Sequence, residues 1–406
     1  MSSPTVTGGP VVFDPYSEDY FSAPFETYRR MRDEAPVYYS EQYDFWALTR
    51  YDDVATAIRD HETFSSAKGV TLDQVKAKDS QPPMVKLIIS LDPPEHERLR
   101  KLVNRVFTPR AIASLEAMVR GTIDGVARQL DPASFDAVAD FAALFPVEII
   151  TSMLGVPAED RQQLRLWLDV GLERAPGSMN PSPEGMEAVM KSAAYYYDLI
   201  QQRRAKPQDD MISRLTEAEV VEDGVTRRLD DIEITGFCTM LGGAGAETVT
   251  KLVGNAVVVF ADHPDQWRKL QDDPGKIPAA FEELLRYEGP SQYQIRTTTR
   301  DVTMHGTTIP AGDAVLLING SASRDERFFP DADRFDIDRE RKVGYNLNFG
   351  YGIHSCLGAA LARMEGRIAL ETLLRLIPRY EIDRSGLQRV HMTNVLGWCN
   401  VPVRAL

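Results

Sequence analysis

The chain has little cysteine and an excess of negative charge. Only three of its 406 residues are cysteines, Cys238, Cys356 and Cys399, and this odd, widely spaced set argues against a disulfide framework. Acidic residues outnumber basic ones by 60 to 46, and the net charge of −14 opposes binding to nucleic acid phosphates or anionic lipids. We therefore expect a cytoplasmic protein without a nucleic-acid partner.

Long apolar runs and targeting signals are also missing. No run of about 18 uninterrupted apolar residues occurs, which predicts that no segment spans a membrane. Residues 1–10 lack the basic start and the apolar core of a signal peptide. We expect residues 1–12 to form a disordered tail and residues 13–406 a single domain, because no Gly/Ser-rich or Pro-rich linker interrupts the chain.

Hydrophobic periodicity predicts a mainly α-helical chain with a smaller β region. Apolar residues recur at helical spacing in eight segments. These are residues 24–35, 95–108, 110–129, 141–154, 158–173, 184–204, 230–261 and 278–288. Residues 45–49 are rich in strand formers. After Arg296, β-branched residues punctuated by glycine and proline predict a compact sheet region.

The segment 232–261 is apolar almost all round. Glu247 and Lys251 are the only charged residues in its interior, which predicts a buried helix of about 45 Å. Three glycines nevertheless lie between residues 242 and 245, and each costs about 1 kcal/mol inside a helix. Close helix packing or a functional site must account for glycines that lower the stability of this helix.

The most informative segment is residues 349–358, Phe-Gly-Tyr-Gly-Ile-His-Ser-Cys-Leu-Gly. Its glycines permit a tight loop, and a helical run follows, so Cys356 should lie just before a helix N-terminus, where N–H groups favour thiolate over thiol. A buried, inert cysteine is one alternative. Zinc is another, although His354 and Cys356 supply only two nearby ligands. A single thiolate fits haem iron, which needs one protein ligand on its proximal side.

This loop resembles the ligand signature of the cytochrome P-450 family, Phe-Gly-x-Gly-x-His-x-Cys-x-Gly, at every fixed position. The resemblance extends from about Asp14 to the C-terminus. It implies the cytochrome P-450 fold, with a long central helix over a haem b (iron protoporphyrin IX) that is buried against the cysteine loop and the following helix. Cys356 would be the axial iron ligand, and Phe349, Gly350, Gly358 and Ala244 would contact the cofactor.

Glu283-Leu284-Leu285-Arg286 resembles the family's Glu-x-x-Arg motif. Residues three apart share a helix face, so Glu283 and Arg286 can pair, and in isolation such a pair would be an ordinary surface contact. The resemblance implies that a third arginine joins the pair and braces the cysteine loop. We assign that role to Arg339, with Arg334 as the competitor.

Residues 244–248, Ala-Gly-Ala-Glu-Thr, resemble the family's oxygen-activating motif. Cleavage of the O–O bond requires protons in a pocket poor in water, and the resemblance implies that Thr248 and Glu247 deliver them. The alternative is that the glycines serve helix packing and that Glu247 forms an ion pair with an arginine.

The segment around His96 carries a further resemblance. His96 and Arg100 lie four apart on one predicted helix face and could grip one haem propionate. The family pattern adds Arg296 and His354 as contacts to the propionates. Solvated helix surface is the alternative for the first two residues.

The substrate pocket is implied by the resemblance alone. Its predicted lining residues are Met240, Gly243, Ala244, Gln292, Tyr293, Ile295, Val395 and Leu396. Parts of the segments 69–89, 172–196 and 395–398 should complete the walls. Gln292 is our candidate for a hydrogen bond to the substrate.

The implied activity is a haem-thiolate monooxygenase that hydroxylates or epoxidises a hydrophobic small molecule. The sequence lacks a dinucleotide fingerprint and an iron–sulfur cysteine set, so we expect electrons from a separate ferredoxin and an NAD(P)H-dependent ferredoxin reductase. The ferredoxin would dock on cations that surround the proximal side. These are Arg98, Arg100, Lys101, Arg105, Arg110, Arg363 and Arg367. A peroxide-driven peroxygenase and a non-catalytic haem-binding protein are the alternatives.

Overall fold

The structure is a computed structural model that describes residues 9–76, 87–104, 107–222, 224–341 and 345–406. The predicted tail lies mostly outside these ranges, and residues 9–12 are in neither a helix nor a strand. The α-helices within the described ranges are α1 (Glu18–Ser22), α2 (Phe25–Glu34), α3 (Tyr51–Arg59), α4 (Leu72–Lys76), α5 (Glu95–Asn104), α6 (Pro109–Ala113), α7 (Glu116–Ala127), α8 (Phe145–Leu154), α9 (Arg161–Leu172), α10 (Pro183–Ala205), α11 (Met211–Glu217), α12 (Asp231–Asp262), α13 (Pro264–Asp272), α14 (Ile277–Glu288), α15 (Asn319–Ala322) and α16 (Ala359–Leu376).

The strands are shorter and belong to small sheets. They are β1 (Val37–Ser40), β2 (Phe45–Leu48), β3 (Phe64–Ser65), β4 (Phe135–Asp136), β5 (Glu219–Glu222), β6 (Val225–Arg228), β7 (Gln294–Thr298), β8 (Val302–Met304), β9 (Thr307–Ile309), β10 (Ala314–Leu317), β11 (Tyr380–Ile382), β12 (Gln388–Arg389), β13 (Trp398–Asn400) and β14 (Pro402–Ala405). The prediction of a mainly helical chain with a smaller β region is confirmed.

The largest sheet has the order β1-β2-β10-β7-β3 and joins the N-terminal part of the chain to the region after Arg296. Strands β2 and β10 are parallel, with Trp46 opposite Val315, and the other pairs are antiparallel. A three-stranded sheet has the order β11-β14-β4, and the remaining strands form the pairs β12-β13, β5-β6 and β8-β9. The predicted strand at residues 45–49 is therefore central to a sheet.

The helix predicted at residues 230–261 is α12. It starts with a capping box, in which Glu233 N donates to Asp230 Oδ1 and Asp230 N donates to a Glu233 carboxylate oxygen. Glycines allow neighbouring helices to approach it closely: a Cβ at Gly245 would lie 2.9 Å from Ile150 Cγ1 on α8, and one at Gly242 would lie 2.7 Å from the Tyr196 hydroxyl on α10. The glycines thus serve helix packing, as the alternative interpretation proposed.

Two predicted helices are divided in the structure. Residues 137–142 form a π-helical turn, and α8 begins only at Phe145 because Pro146 follows at the start of the helix, where its missing N–H does no harm. The segment 110–129 is divided between α6 and α7. The segment 95–108 forms α5 up to Asn104, and residues 105–106 lie outside the described ranges.

Two helical segments have the length and composition of a membrane span, residues Ala137–Leu154 and Asp231–Asp262. Inside the protein, however, 61% and 78% of their apolar windows are buried. Core helices of soluble proteins meet the same criteria, so the two segments are weak evidence for a span.

Candidate functional site

The loop from Phe349 to Gly358 holds Cys356 in front of α16. Gly350 and Gly352 adopt the left-handed conformation, with φ of 67° and 71°, and a Cβ at Gly350 would lie 3.3 Å from the His354 carbonyl oxygen. Cys356 N donates to the Phe349 carbonyl at 2.7 Å. The glycines therefore allow the tight turn that places the Cys356 thiol in the wall of an internal cavity.

The surroundings of Cys356 favour the thiol more strongly than its place before a helix N-terminus suggests. Burial raises the pKa of this thiol, and the N–H groups of Gly358 and Ala359 with the cations Arg100 and Arg363 lower it only in part. The thiol is accessible from the cavity, but the surrounding protein desolvates it. The helix N-terminus alone does not make a thiolate here, whereas a bound metal ion deprotonates a coordinating thiol.

Two adjoining cavities meet at Cys356. One has a volume of about 280 Å³ and lies between α12 and the start of α16. The other has a volume of about 490 Å³ and extends towards α9 and α10. Residues common to both linings are Ile89, Met240, Ala244, Thr248, Ser291, Asn348, Phe349, His354 and Cys356. Gly358 and Leu361 line only the smaller cavity, which is where the resemblance predicts the haem.

Four nitrogen-rich side chains converge where the two cavities meet: His96 and Arg100 line the smaller cavity, Arg296 lines the larger one, and His354 lines both. The rings of His96 and His354 have centroids 4.4 Å apart, and Arg100 donates to the Ser355 carbonyl at 2.6 Å. Arg296 is buried, and burial lowers its pKa to about 10. Burial, then Arg296, His96 and Arg100, lower the pKa of His354 to about 3. Positive charges on these side chains would repel one another.

The same cluster is short of hydrogen-bond acceptors. His96 is only 2% exposed, yet neither of its ring nitrogens has a hydrogen-bond partner among the described residues. Among the described residues, Asp92 is the only carboxylate whose charge raises the pKa of Arg296. A ligand with two carboxylates would supply both the missing acceptors and the missing negative charge. The four predicted propionate contacts therefore fit haem.

Glu365 is a lining residue that the sequence analysis missed. It lies on α16, is 2% exposed and lines the smaller cavity. Its Oε2 has no hydrogen-bond partner among the described residues, and burial raises the pKa of this carboxyl well above its usual range. An isolated glutamate on a helical run carries no sequence signal that distinguishes it from a surface residue.

Glu247 and Thr248 both line the larger cavity. The Thr248 hydroxyl donates to the Ala244 carbonyl at 3.1 Å. Glu247 is 4% exposed, and its Oε2 lies 3.1 Å from Lys251 Nζ, the next charged residue on α12. The ion pair proposed as an alternative is thus present, but with a lysine, and it leaves the carboxylate in the cavity wall.

Five of the eight predicted substrate-pocket residues line the larger cavity. They are Met240, Gly243, Ala244, Ile295 and Val395. From the predicted segments, Val70, Thr71, Ile89, Leu172, Val189 and Ser192 also contribute, while residues 77–86 lie outside the described ranges. Three residues of α9 before Leu172 also line this cavity: Trp167, Leu168 and Gly171. The sequence analysis missed them because the pattern of an amphipathic helix does not show which of its faces covers a ligand.

The remaining three predicted pocket residues, Gln292, Tyr293 and Leu396, lie elsewhere in the structure. The Gln292 side chain donates to the Gly289 carbonyl at 2.7 Å and accepts from the Tyr28 hydroxyl at 3.2 Å. The Tyr293 hydroxyl donates to the Thr393 carbonyl at 2.7 Å. Leu396 is fully buried, and its N–H donates to the Pro290 carbonyl. All three belong to the protein core, and none lines the cavity among the described residues.

Arg339 joins the Glu283–Arg286 pair. The Glu283 carboxylate accepts from Arg286 Nε and Nη2 at 2.8 Å each, from Arg339 Nε at 3.1 Å and from the Tyr345 hydroxyl at 2.7 Å. The Arg334 side chain instead lies 3.5 Å from Asp336 and is 64% exposed. The third arginine in this structure is therefore Arg339.

The predicted docking cations are in different environments. Lys101 and Arg110 are exposed, whereas Arg105 lies outside the described residues. Arg363 pairs with Glu282 at 2.5 Å, and Arg367 lies 2.8 Å from both Glu116 and Glu371. The helix after the cysteine loop therefore offers less unbalanced positive charge than the sequence alone indicated.

Known proteins resemble this chain along most of its length. Residues 277–385 match the family described as Cytochrome P450. Erythromycin C-12 hydroxylase of Saccharopolyspora erythraea is 38% identical over 380 residues, 92% of this chain and 92% of the relative. Vitamin D(3) 25-hydroxylase of Pseudonocardia autotrophica is 38% identical over 371 residues, 90% and 89% of the two chains. The solved structure of a mutant of P450 EryK in complex with erythromycin B has a TM-score of 0.86 at 38% identity and covers 95% of this chain and 96% of that one.

Proposed function

This chain belongs to the cytochrome P450 family of monooxygenases, and we propose that it inserts one oxygen atom of O2 into a hydrophobic small molecule, by hydroxylation or epoxidation. The observation that carries the proposal is the position of Cys356, whose thiol lies where the two cavities meet. Glu247 and Thr248 line the larger cavity next to it. The candidate iron ligand, the candidate proton carriers and the space for a substrate therefore adjoin one another.

The proposed cofactor is haem b. Cys356 would bind its iron, and four side chains would hold its propionates: His96, Arg100, Arg296 and His354. Phe349, Gly350, Gly358 and Ala244 would contact the ring. A bound haem thiolate supplies the electron density that favours O–O cleavage.

The protein's own contribution is to hold protons and exclude water. The Thr248 hydroxyl can donate or accept at the cavity wall, and its present acceptor is only the Ala244 carbonyl of the preceding turn. Glu247 is the adjacent ionisable group and is almost completely buried. We infer that these two side chains pass protons to the reacting oxygen and that the apolar lining keeps bulk water away.

The substrate is proposed to be a hydrophobic molecule of drug size. A cavity of about 490 Å³ lies within the range typical of small-molecule sites. The named relatives act on erythromycin and vitamin D3, so molecules of comparable size and hydrophobicity are suitable candidates. Thr239 lines this cavity, and its hydroxyl lacks a hydrogen-bond partner among the described residues. Thr239 replaces Gln292 as our candidate for a hydrogen bond to the substrate.

Electrons are proposed to come from a separate ferredoxin and an NAD(P)H-dependent ferredoxin reductase. The exposed cations Lys101, on α5, and Arg110, on α6, are the candidate docking residues. We expect the double variant Lys101→Glu/Arg110→Glu to slow reduction by ferredoxin and to flatten its dependence on salt. Arg375→Glu, which alters a cation paired with Asp124 on α7, is the control. Identical rates in all three proteins would contradict this docking surface.

The first test of the assignment is a carbon monoxide difference spectrum of the reduced protein. The wild type should show the red-shifted Soret band of thiolate-ligated haem, and Cys356→Ala should lose that band. Cys399→Ala alters an exposed cysteine outside both cavity linings and should keep it. Absence of the band from the wild type would contradict the haem-thiolate assignment. Turnover with hydrogen peroxide alone would favour a peroxygenase over the ferredoxin-dependent reaction.

A further inference from the structure

The outer surfaces of α9 and α10 carry a concentration of exposed apolar side chains. Of the 14 large hydrophobic residues that are exposed in the described part of the chain, six lie on these two helices, which have only 12 and 23 residues. Met190, at 72%, is the most exposed of the 14. Single exposed apolar residues are ordinary on a protein surface, whereas a cluster of them marks a place of interaction.

The six residues form one stripe on each helix. On α9 the stripe consists of Leu166 and Val170, which are four residues apart. On α10, apolar residues follow one another at spacings of three, four and seven positions, which keeps them on one side of the helix. They are Met186, Val189, Met190 and Tyr197. Together the six residues are termed the outer face.

Close packing of the two helices joins the stripes. A Cβ at Gly171 of α9 would lie 2.9 Å from Val189 Cγ2 on α10, and a Cβ at Gly185 of α10 would lie 3.0 Å from the Val170 carbonyl oxygen on α9. Because neither glycine has a side chain, the helices approach until their apolar residues are neighbours. The outer face is therefore continuous across both helices.

The opposite side of the same helices lines the larger cavity. Trp167, Leu168 and Gly171 of α9 and Ser192 of α10 are lining residues. Val189 belongs to both surfaces, since it lines the cavity and is also exposed. The outer face is thus the external side of the cavity wall, and a partner that binds it would cover that wall.

An exposed ion pair runs along one edge of the outer face. Lys191 Nζ lies 2.9 Å from Glu187 Oε1, and both side chains are exposed. With 3.6 residues per turn, both lie on the side of Met190 that is opposite to Val189. The edge of the apolar stripe on α10 therefore carries one positive and one negative charge, four residues apart.

This ion pair is complementary to itself. When a second α10 packs antiparallel, about a two-fold axis at the level of Val189, Glu187 faces Lys191 of the partner subunit and Lys191 faces Glu187 of the partner subunit. A two-fold interface uses the same patch on both subunits, so it requires this kind of self-complementarity. The outer face meets the requirement, because its centre is apolar and its charged edge matches a reversed copy of itself.

The surrounding charge disfavours other occupants. Between Leu166 and Asp198, the exposed charged residues are four acids and one base. They are Glu173, Glu184, Glu187, Asp198 and Lys191. Anionic lipids and acidic proteins offer no cations to these acids. The acidity also opposes self-association, but at physiological ionic strength salt screens charges more than about 8 Å apart, whereas Glu187 and Lys191 would be in direct contact.

The size of the outer face fits a reversible dimer. Its stripe on α10, from Met186 to Tyr197, is about 17 Å long, and two helices side by side are about 20 Å wide. With the charged edge, two such faces bury on the order of 1,000 Å² in total, at the small end of specific interfaces. Methionine and tyrosine are among the residue types enriched in interfaces. We therefore expect a dissociation constant in the micromolar range.

We propose that two copies of this chain associate through the outer face, with their α10 helices antiparallel about a two-fold axis near Val189. The apolar stripes form the centre of the interface, and Glu187 and Lys191 form reciprocal ion pairs at its edge. The partner subunit covers the external side of the larger cavity's wall. This association is independent of the proposed oxidation reaction.

The first experiment is sedimentation velocity of the complete 406-residue chain at physiological ionic strength, over a series of micromolar concentrations. The wild type should pass from monomer to dimer. Met190→Glu brings two like charges together at the centre of the interface and should weaken the dimer at least about tenfold. Val221→Glu adds the same charge at an exposed valine of β5, outside the outer face, and should leave the dimer unchanged. Circular dichroism checks that the variants remain folded.

The second experiment reverses the charges at the edge. Glu187→Lys places two lysines opposite each other in the dimer, and Lys191→Glu places two glutamates opposite each other, so each variant alone should dimerise several-fold more weakly. An equimolar mixture should recover a dimer at least as stable as that of the wild type, because the two variants are then complementary. A fluorophore on one variant identifies the mixed dimer. A contact elsewhere on the surface does not produce this rescue.

A wild type that stays monomeric throughout the concentration series overturns the inference. So does a dimer that Met190→Glu leaves as stable as before, or a mixture of the two charge variants that is no more dimeric than either alone. A monomeric wild type that instead binds phosphatidylcholine vesicles, with binding lost in Met190→Glu, assigns the outer face to a lipid surface and overturns the inference as well. Failure of the monooxygenase proposal would leave these results unchanged.

Discussion

Replacing Arg339 by alanine tests whether the network around Glu283 stabilises the cysteine loop. The Arg339 side chain is 11% exposed, and its Nε lies 3.1 Å from Glu283 Oε1. Its other nitrogens donate to the carbonyls of Pro330, Asp331 and Arg334. Arg334 provides a matched control, because the same substitution there removes an arginine that is 64% exposed.

The magnitude follows from these environments. A hydrogen bond to a charged, buried partner contributes about 1.5–3 kcal/mol, and breaking a buried ion pair costs about 3–5 kcal/mol. Glu283 keeps Arg286 and Tyr345 after Arg339 is removed, so its charge is not left unpaired. We expect Arg339→Ala to lower the free energy of unfolding by about 2–3 kcal/mol. Arg334→Ala should cost less than about 1 kcal/mol, as is usual for an exposed pair.

The effect should reach Cys356 through the segment that precedes its loop. Tyr345 donates to Glu283, Asn346 to the Glu282 carbonyl and Asn348 to the Leu285 carbonyl, so residues 345–348 are bound to α14. Loosening this attachment should lower the urea concentration at which the thiolate-ligated carbon monoxide band is lost. Urea unfolding followed by that band and by circular dichroism measures both effects.

Two results would refute this reasoning. Equal losses for Arg339→Ala and Arg334→Ala would show that neither contact with Glu283 nor burial matters. A double-mutant cycle between Arg339→Ala and Glu283→Gln isolates the coupling of the two side chains. Additive losses in that cycle would show that the 3.1 Å contact contributes nothing to stability.

Three further predictions concern residues around the cavities. Gln292→Val should lower the free energy of unfolding by about 1–3 kcal/mol, because the Tyr28 hydroxyl and the Gly289 carbonyl lose a buried partner. The variant should leave substrate affinity unchanged. Weaker substrate binding with unchanged stability would instead support the hydrogen bond from Gln292 to the substrate that the sequence analysis predicted. Thr239→Val should instead weaken binding of a substrate that carries a hydrogen-bonding group without weakening that of a plain hydrocarbon, as measured by spectral titration, and equal weakening of both would contradict it. Burial raises the pKa of Glu365, so the folded protein keeps a proton that the unfolded chain releases above about pH 4, and the free energy of unfolding falls as pH rises from there towards the raised pKa. The free energy of unfolding of Glu365→Gln should therefore increase relative to that of the wild type as pH rises. An equal difference between the two proteins at about pH 6 and about pH 9 would contradict this prediction.

Local patterns accounted for most of the fold and for the ligand loop. The helical apolar spacing of residues 230–261 is a property of the chain itself, and α12 lies within one residue of the predicted bounds. The glycines and Cys356 of the loop are close in sequence, so their turn depends on few distant contacts. Where proline or a change of helix type intervened, at residues 137–146, periodicity alone overestimated the helix.

Side-chain partners could not be predicted in the same way. Gln292 and Gln294 are near neighbours with the same chemistry, yet only Gln294 lines the cavity. Gln292 precedes β7, and its side chain bonds Tyr28 and the Gly289 carbonyl in the core. Arg363 and Arg367 looked like free cations on a helix. Acids on α14 and α7 neutralise them, and those acids lie far away in the sequence.

The sequence by itself determined the helical class, the central helix, the cysteine loop and the set of groups that can carry protons or hold carboxylates. These properties depend on residue type and on spacing within a few turns of chain. Tertiary structure decided which of those groups meet: Arg339 rather than Arg334 on Glu283, and His96 beside His354. Such contacts join residues that are far apart in the sequence, and they depend on the packing of whole helices, which no local pattern encodes.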